Sequence, residues 1–176
     1  MGCWGIKAFE SDNGLDVESL LREHLPEDGR LELKTVIDIL QKDERCAPPK
    51  VTEGRSHTSP MALAELMGMF LDQDTAKLDL SVEDSSEEKR FGDICSFTAD
   101  RESIRWIRDY LAETLKYSRE SAAHGVENGG WFKQRDWKDW QRHMEGLISR
   151  MDELLARQEE TVELATPPAR QEQKMC

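Results

Sequence analysis

Apolar residues recur at intervals of three and four along most of the chain, a spacing that places them on one side of an α-helix. The pattern predicts helices over about 11–25, 30–41, 59–71, 100–123 and 133–164. Boundary signals agree with it. Ser11 or Asp12 is able to cap the first helix and Pro26 ends it, while Ser59-Pro60 supplies a cap and a favourable first position for the third. We therefore expect a mainly α fold, a single-domain bundle of about five helices within residues 1–165.

The last helix has the most regular pattern. Its apolar positions alternate spacings of three and four over three heptads: Trp137, Trp140, Met144, Leu147, Met151 and Leu154. Ile148 and Leu155 widen this stripe beyond a coiled-coil seam. Packing against helices of the same chain is therefore favoured over an intermolecular coiled coil.

Three segments lack the helical pattern. Residues 42–59 contain a Pro pair, Gly and Ser with few apolar residues, which predicts a long surface loop. Apolar and polar residues alternate near 78–82, so a small β-hairpin is predicted between residues 76 and 98. Residues 166–176 begin with a Pro pair and have no periodicity, which indicates a disordered tail.

The charge balance restricts the class of partner. The chain has 24 Lys plus Arg against 36 Asp plus Glu, a formal net charge of −12. Such a charge repels nucleic-acid phosphate and anionic membranes and attracts a basic protein. No apolar run approaches the ~20 residues that span a bilayer, and no secretory signal pattern is present. We expect neither a nucleic-acid nor a membrane partner.

The cysteines and histidines do not form a recognisable metal or disulfide pattern. Cys3, Cys46, Cys95 and Cys176 are widely separated, and the four histidines show no HxH or HxxxH spacing. Free thiols are the simplest interpretation, and they favour a reducing, cytoplasmic compartment. No phosphate-binding loop or dinucleotide fingerprint occurs. The sequence therefore predicts no metal and no cofactor.

Tryptophans and basic residues alternate over residues 131–143, WFKQRDWKDWQRH. Such a mixture can stack bases and pair with phosphates. Two aspartates offset part of this charge, however, and the later tryptophans already belong to the buried stripe. Trp131 and Phe132 precede that stripe, so they are the candidate aromatic contacts for a protein partner.

The chain begins MGCWGIKAFESD, in which Gly2, Trp4, Gly5, Phe9 and Asp12 form a distinctive pattern. The glycines allow close backbone approach in a tight turn, the aromatic residues bracket that turn, and Asp12 is able to cap the first helix. This reading is structural. The alternative is a binding pocket around the N-terminal amine, Trp4 and Asp12.

The same pattern, MGxWGxxxFxxD followed by an amphipathic helix, resembles the start of bacterial domain-of-unknown-function family 4259. The specific match covers about a tenth of the chain and departs from the family at Lys7-Ala8, where a Gly-Pro-like pair is common. The resemblance implies bacterial origin, a mostly helical fold and an intracellular setting. It brings no established activity, cofactor or catalytic residue.

These observations favour a non-catalytic, cytoplasmic protein-interaction module, an immunity-type or regulatory partner of a basic protein. The alternative is a small hydrolase or metal-dependent enzyme whose site is assembled only in three dimensions. His57, His124 and the carboxylates of residues 72–88 are its candidate groups.

Overall fold

A computed structural model describes residues 5–53, 58–80, 82–83, 87–125 and 134–165. This described part contains five α-helices: α1 (Asp12–Glu23), α2 (Leu33–Lys42), α3 (Thr58–Leu71), α4 (Arg101–Ala123) and α5 (Trp137–Ala156). It also contains three short strands: β1 (Arg30–Glu32), β2 (Ser96–Asp100) and β3 (Thr161–Glu163). The expected mainly α fold with about five helices is confirmed.

Helix α3 lies at the centre of the bundle and contacts α1, α4 and α5. It is apolar around most of its circumference, and 12 of its 14 residues are buried. A helix with apolar residues on all sides belongs in a core. The two longest helices, α4 and α5, pack along each other. The heptad positions from Trp140 to Leu154 are buried, as their spacing predicted.

The small sheet joins distant parts of the chain, with the strand order β1-β2-β3. Strand β2 pairs in parallel with β1 and antiparallel with β3. The side chains that face the core from β2 are Phe97 and Ala99, both fully buried. Phe97 packs edge-on against Phe70 of α3, with 4.9 Å between ring centroids. The sheet is therefore fixed to the central helix through aromatic packing.

The predicted hairpin between residues 76 and 98 is wrong. The described residues of this region form 3₁₀ turns at Thr75–Asp79 and Phe91–Asp93, and only its end belongs to a strand, β2. Both partners of β2 are remote in sequence, at 30–32 and 161–163. A short alternation of apolar and polar residues does not specify a partner, and here long-range pairing replaces the local turn.

Two predicted helix boundaries also need correction. The second helix begins at Leu33, because residues 30–32 form β1. The fifth ends at Ala156 rather than near residue 164, because the chain reverses there and returns as β3. In both strands a single buried apolar residue lies between two exposed polar ones. Three residues are too few to reveal a period of two.

The described part of the predicted loop at 42–59 is held against α4. Its residues Val51–Glu53 form a 3₁₀ turn, and its last two residues, Thr58 and Ser59, belong to α3 rather than to a loop. The Tyr110 hydroxyl donates to the carbonyl of Pro49, and the Tyr117 hydroxyl donates to that of Thr52. The predicted tail at 166–176 lies outside the described residues. Within the residues that are described, no helix has the length and apolar character needed to cross a membrane.

Candidate interaction surface

Four of the candidate partner-binding and N-terminal signature residues lie outside the described part of the chain. They are the partner-binding candidates Trp131 and Phe132 and the N-terminal residues Gly2 and Trp4. Their predicted roles remain predictions. Of the remaining signature residues, Gly5 and Phe9 lie in the segment that leads into α1, and Asp12 is the first residue of that helix.

Ser11, rather than Asp12, caps α1. The Ser11 hydroxyl accepts a hydrogen bond from the Gly14 amide at 3.1 Å and donates to the carbonyl of Ala8 at 2.6 Å. It thereby joins the start of the helix to the 3₁₀ turn Ala8–Glu10. Asp12 occupies the first turn of α1 with its side chain exposed, where a carboxylate is favoured by the helix dipole. Of the two caps that the sequence allowed, Ser11 is therefore confirmed, and the capping role of Asp12 is wrong.

The N-terminal turn lies directly on α1. A Cβ atom added at Gly14 would lie 1.8 Å from the carbonyl oxygen of Ala8, a backbone atom. Phe9 is half-buried and packs against the core, while Ala8 is fully buried. Residues 5–11 thus lie close against α1, and Gly14, which is not part of the signature, is the residue that permits this approach. The turn predicted between Trp4 and Phe9 stays a prediction, because Gly2 and Trp4 lie outside the described residues.

A buried carboxylate of α3 binds the backbone of this turn. Glu65 is 7% exposed, and its Oε2 accepts from the Ala8 amide at 2.7 Å. The same oxygen lies 3.0 Å from Nε2 of His143 on α5. Glu65 therefore links the turn, the central helix and the last helix. Its second oxygen has no hydrogen-bond partner among the described residues. Isolated sequence patterns gave no signal for Glu65, because its partners are 57 and 78 positions away.

The enzyme site that the sequence left as an alternative falls partly outside the described residues and stays untested. His57 lies outside them, and His124 is exposed at the C-terminal end of α4. The aspartates of 72–79 each pair with a base: Asp72 with Arg150, Asp74 with Lys77 and Asp79 with Arg22. No cluster of three or more metal-binding side chains occurs in the part that the structure describes.

Arg22 is buried at the inner side of α1. Its guanidinium donates to Asp79 Oδ1 at 2.8 Å and to Glu18 Oε1 at 3.0 Å. It also donates to the carbonyls of Leu78 at 2.6 Å and Lys89 at 2.9 Å. Three of these four bonds, those to Asp79, Leu78 and Lys89, fasten the segment around residues 78–89 to α1, while the bond to Glu18 lies within the helix.

Arg22 and its partner Asp79 make further contacts within this buried cluster. The guanidinium of Arg22 lies over the Phe91 ring, 4.9 Å from its centroid. Asp79 also accepts from the amides of Phe91 at 2.9 Å and Gly92 at 2.8 Å. Burial raises the pKa of Glu18 despite its hydrogen bond with Arg22. Because each main polar group has a partner, the cluster is structural.

The burial of Arg22 leaves the outer face of α1 without a base, since no other Lys or Arg occurs in this helix. The exposed residues follow helical spacing along one face: Asp12, Leu15, Asp16, Ser19 and Glu23. No ion pair within the described part involves Asp16 or Glu23. Leu15, a large apolar residue, is 39% exposed among these acids. We call this set of five residues the acidic face.

A groove of about 490 Å³ separates α1 from the chain after α2. From α1 it is lined by Asp16, Ser19, Leu20 and Glu23, and from the other side by Lys42, Asp43, Glu44, Arg45 and Cys46. Its volume is in the range of sites for small ligands or inserted side chains. Four carboxylates against two cations make its lining acidic.

The second wall of the groove is held by its own backbone. The Asp43 carboxylate accepts from the amides of Cys46 at 2.9 Å and Arg45 at 2.8 Å, and these bonds lower the pKa of Asp43. Burial raises the pKa of the Cys46 thiol to about 12. Since the thiolate is the nucleophilic form, Cys46 is not poised for catalysis.

The expectation of free thiols is confirmed at one described cysteine and wrong at another. Cys46 is free and buried. Cys95 is disulfide-bonded. The distance between cysteines in the sequence does not exclude a bond between residues that folding brings together. One argument for a reducing compartment is thereby removed.

No family model, curated protein or solved structure matches the chain in comparisons with known proteins.

Proposed function

We propose that the protein is a non-catalytic binding module that recognises a basic protein through the acidic face of α1. The observation that carries this proposal is the inward position of Arg22, which leaves carboxylates as the charged groups of the outer face. A surface of one charge sign steers a partner of the opposite sign. The exposed Leu15 adds an apolar contact at its centre.

The contrast with α4 supports the choice of surface. The exposed residues of α4 include the bases Arg105, Lys116 and Arg119 as well as acids, and Arg119 pairs with Glu145 of α5. A face with both signs is typical of a solvated helix surface. Within the described part of the chain, Asp16 and Glu23 of the acidic face form no ion pair, so these two carboxylates remain available to a partner.

The biological setting belongs to the same proposal. The N-terminal resemblance supports a bacterial protein of domain-of-unknown-function family 4259, acting in the cytoplasm as an immunity-type or regulatory partner. The bond at Cys95 does not favour that compartment, so the setting rests on the resemblance alone.

The proposal is tested by neutralising the acidic face. The variant Asp12→Asn/Asp16→Asn/Glu23→Gln removes its three carboxylates. A matched variant on α4, Glu102→Gln/Glu113→Gln/Glu120→Gln, removes the same charge, also from exposed positions that include a first helical turn. Each is used with the wild type to capture proteins at low salt from a lysate of the source organism.

We expect a basic protein that the wild type and the α4 variant retain, that the α1 variant loses, and that rising salt releases. Three carboxylates at about 0.2 to 1 kcal/mol each correspond to a loss of roughly 3- to 100-fold in affinity. Equal retention by all three proteins, or no stoichiometric partner, would contradict the proposal.

A further inference from the structure

We propose that the groove beside α1 receives one face of a basic amphipathic helix from the partner. Two Lys or Arg residues seven positions apart in that helix pair with Asp16 and Glu23, and an apolar residue between them covers Leu20. This inference rests on the proposed function, and it adds the shape, spacing and position of what is recognised.

The spacing along α1 defines the occupant. Asp16 and Glu23 are seven residues apart, so about 10 Å of helix axis separates them. A single guanidinium or ammonium group does not reach both carboxylates across that distance. Two basic residues at i and i+7 of a second helix have the same spacing, because both helices repeat on the same face after two turns.

The region between the two carboxylates is suited to an apolar contact. Ser19 and Leu20 line the groove there, and Leu20 is partly buried against the core. An apolar residue at i+3 or i+4 of the partner helix falls between its two bases and faces Leu20. The alkyl stems of the flanking Lys or Arg residues extend this contact.

The second wall orients the occupant. Lys42 and Arg45 line that side, and neither forms an ion pair within the described part of the chain. Asp43 and Glu44 line the same side, so this wall has no net charge, whereas the wall from α1 has two carboxylates and no base. Basic side chains of the occupant are therefore drawn to the α1 wall, and bases on its other face gain nothing from the second wall.

The test uses two synthetic helical peptides of identical composition. The first has Lys at i and i+7 with Leu at i+4, and the second has the lysines at i and i+5, which lie on different sides of the helix. Binding to the full-length protein is followed by NMR titration. We expect the first peptide to bind about two- to fivefold more tightly and to shift the amides of Ser19, Leu20 and Cys46.

Substitutions in the two walls of the groove change peptide binding in opposite directions. Asp16→Asn/Glu23→Gln removes the preference for the first peptide, whereas Lys42→Gln tightens its binding about twofold because a repulsive charge is lost. The α4 variant Glu102→Gln/Glu113→Gln leaves the preference unchanged and controls for net charge. Inorganic phosphate is titrated in parallel as a probe for anion binding. If the groove were an anion site, its affinity for phosphate would fall in Lys42→Gln.

Equal binding of the two peptides, shifts located away from the groove, or weaker binding in Lys42→Gln would overturn the inference. Phosphate binding at the groove that excludes the peptides would overturn it in favour of an anion site. The two proposals fail separately. A partner captured through the acidic face without any preference for lysine spacing removes the groove inference and leaves the proposed function intact.

Discussion

Gly14 is the residue at which a single methyl group has the clearest consequence. Its missing Cβ leaves room for the carbonyl of Ala8, which would otherwise lie at 1.8 Å from it. In Gly14→Ala the backbone of the turn has to move, and Ser11 loses the geometry of its cap. We expect a loss of about 1 to 3 kcal/mol in the free energy of unfolding, measured by urea denaturation.

Gly146 provides the matched control for this substitution. It also lies within a helix, α5, but a Cβ added there meets nothing within 4 Å. Gly146→Ala should therefore stabilise the protein by about 0.5 to 1 kcal/mol, because alanine loses less backbone entropy. If both substitutions change stability in the same direction, close packing at Gly14 is not the controlling factor.

The buried thiol of Cys46 gives a chemical prediction at the same scale. A pKa of about 12 leaves roughly one thiol in ten thousand ionised at pH 8. Alkylation of Cys46 by iodoacetamide at pH 8 should therefore be about 10³-fold slower in the native protein than in 8 M urea. Peptide mass mapping isolates this cysteine, and rapid native alkylation would contradict the assigned environment.

Single residues also show what the sequence could and could not predict. Spacing correctly placed Trp140 in the core, and Ser11 was one of two caps that local chemistry allowed. The inward position of Arg22 was not predictable, because its partner Asp79 is 57 positions away. An arginine in an amphipathic helix is usually exposed, so only the fold shows that this one leaves the acidic face without a base.

Among the structural elements, α1 is held by a buried polar contact. Arg22 fastens it to the segment around residues 78–89 through the carboxylate of Asp79 and the carbonyls of Leu78 and Lys89. Arg22→Met keeps an apolar stem but leaves these buried groups without their donor. We expect a loss of about 3 kcal/mol or more in unfolding free energy, with faster amide exchange at Phe91 and Gly92.

Arg150 serves as the control for this prediction. It pairs with Asp72 through two hydrogen bonds that lower the pKa of that carboxyl, but both side chains are substantially exposed. Arg150→Met should therefore cost less than about 1 kcal/mol, because solvent screens the pair. Similar losses of unfolding free energy at both positions would show that burial does not determine how much the Arg22 cluster stabilises the protein.

The elements differ in how much of them local sequence specifies. Long helices were predictable, because α4 and α5 each repeat their apolar spacing over five or more turns. The strands were not, since each consists of three to five residues and pairs with residues far along the chain. The groove depends on the same long-range arrangement, as it is formed where α1 meets the chain after α2.

At the scale of the whole molecule, the sheet connects the early, middle and late parts of the chain. Strand β2 lies between β1 and β3, so removing either neighbour exposes its backbone and the buried Phe97. The segment that follows α5 is thereby part of the core. Val162 and Leu164 are 1% and 0% exposed, although they follow the last helix.

Two truncations separate the contribution of β3 and Leu164 to stability from that of residues 166–176. Ending the chain at Ala156 removes Val162 and Leu164 together with the pairing to β2, and the two side chains alone account for about 3 to 6 kcal/mol. This is a large part of a typical stability of 5 to 15 kcal/mol, so cooperative unfolding should be weakened or lost in calorimetry.

Ending the chain at Ala165 removes only the predicted tail, and we expect no change in unfolding temperature. Both are measured with a reductant, so that the disulfide of Cys95 does not contribute. Equal destabilisation by the two truncations would mean that residues 166–176 contribute to the fold and that the predicted tail is wrong.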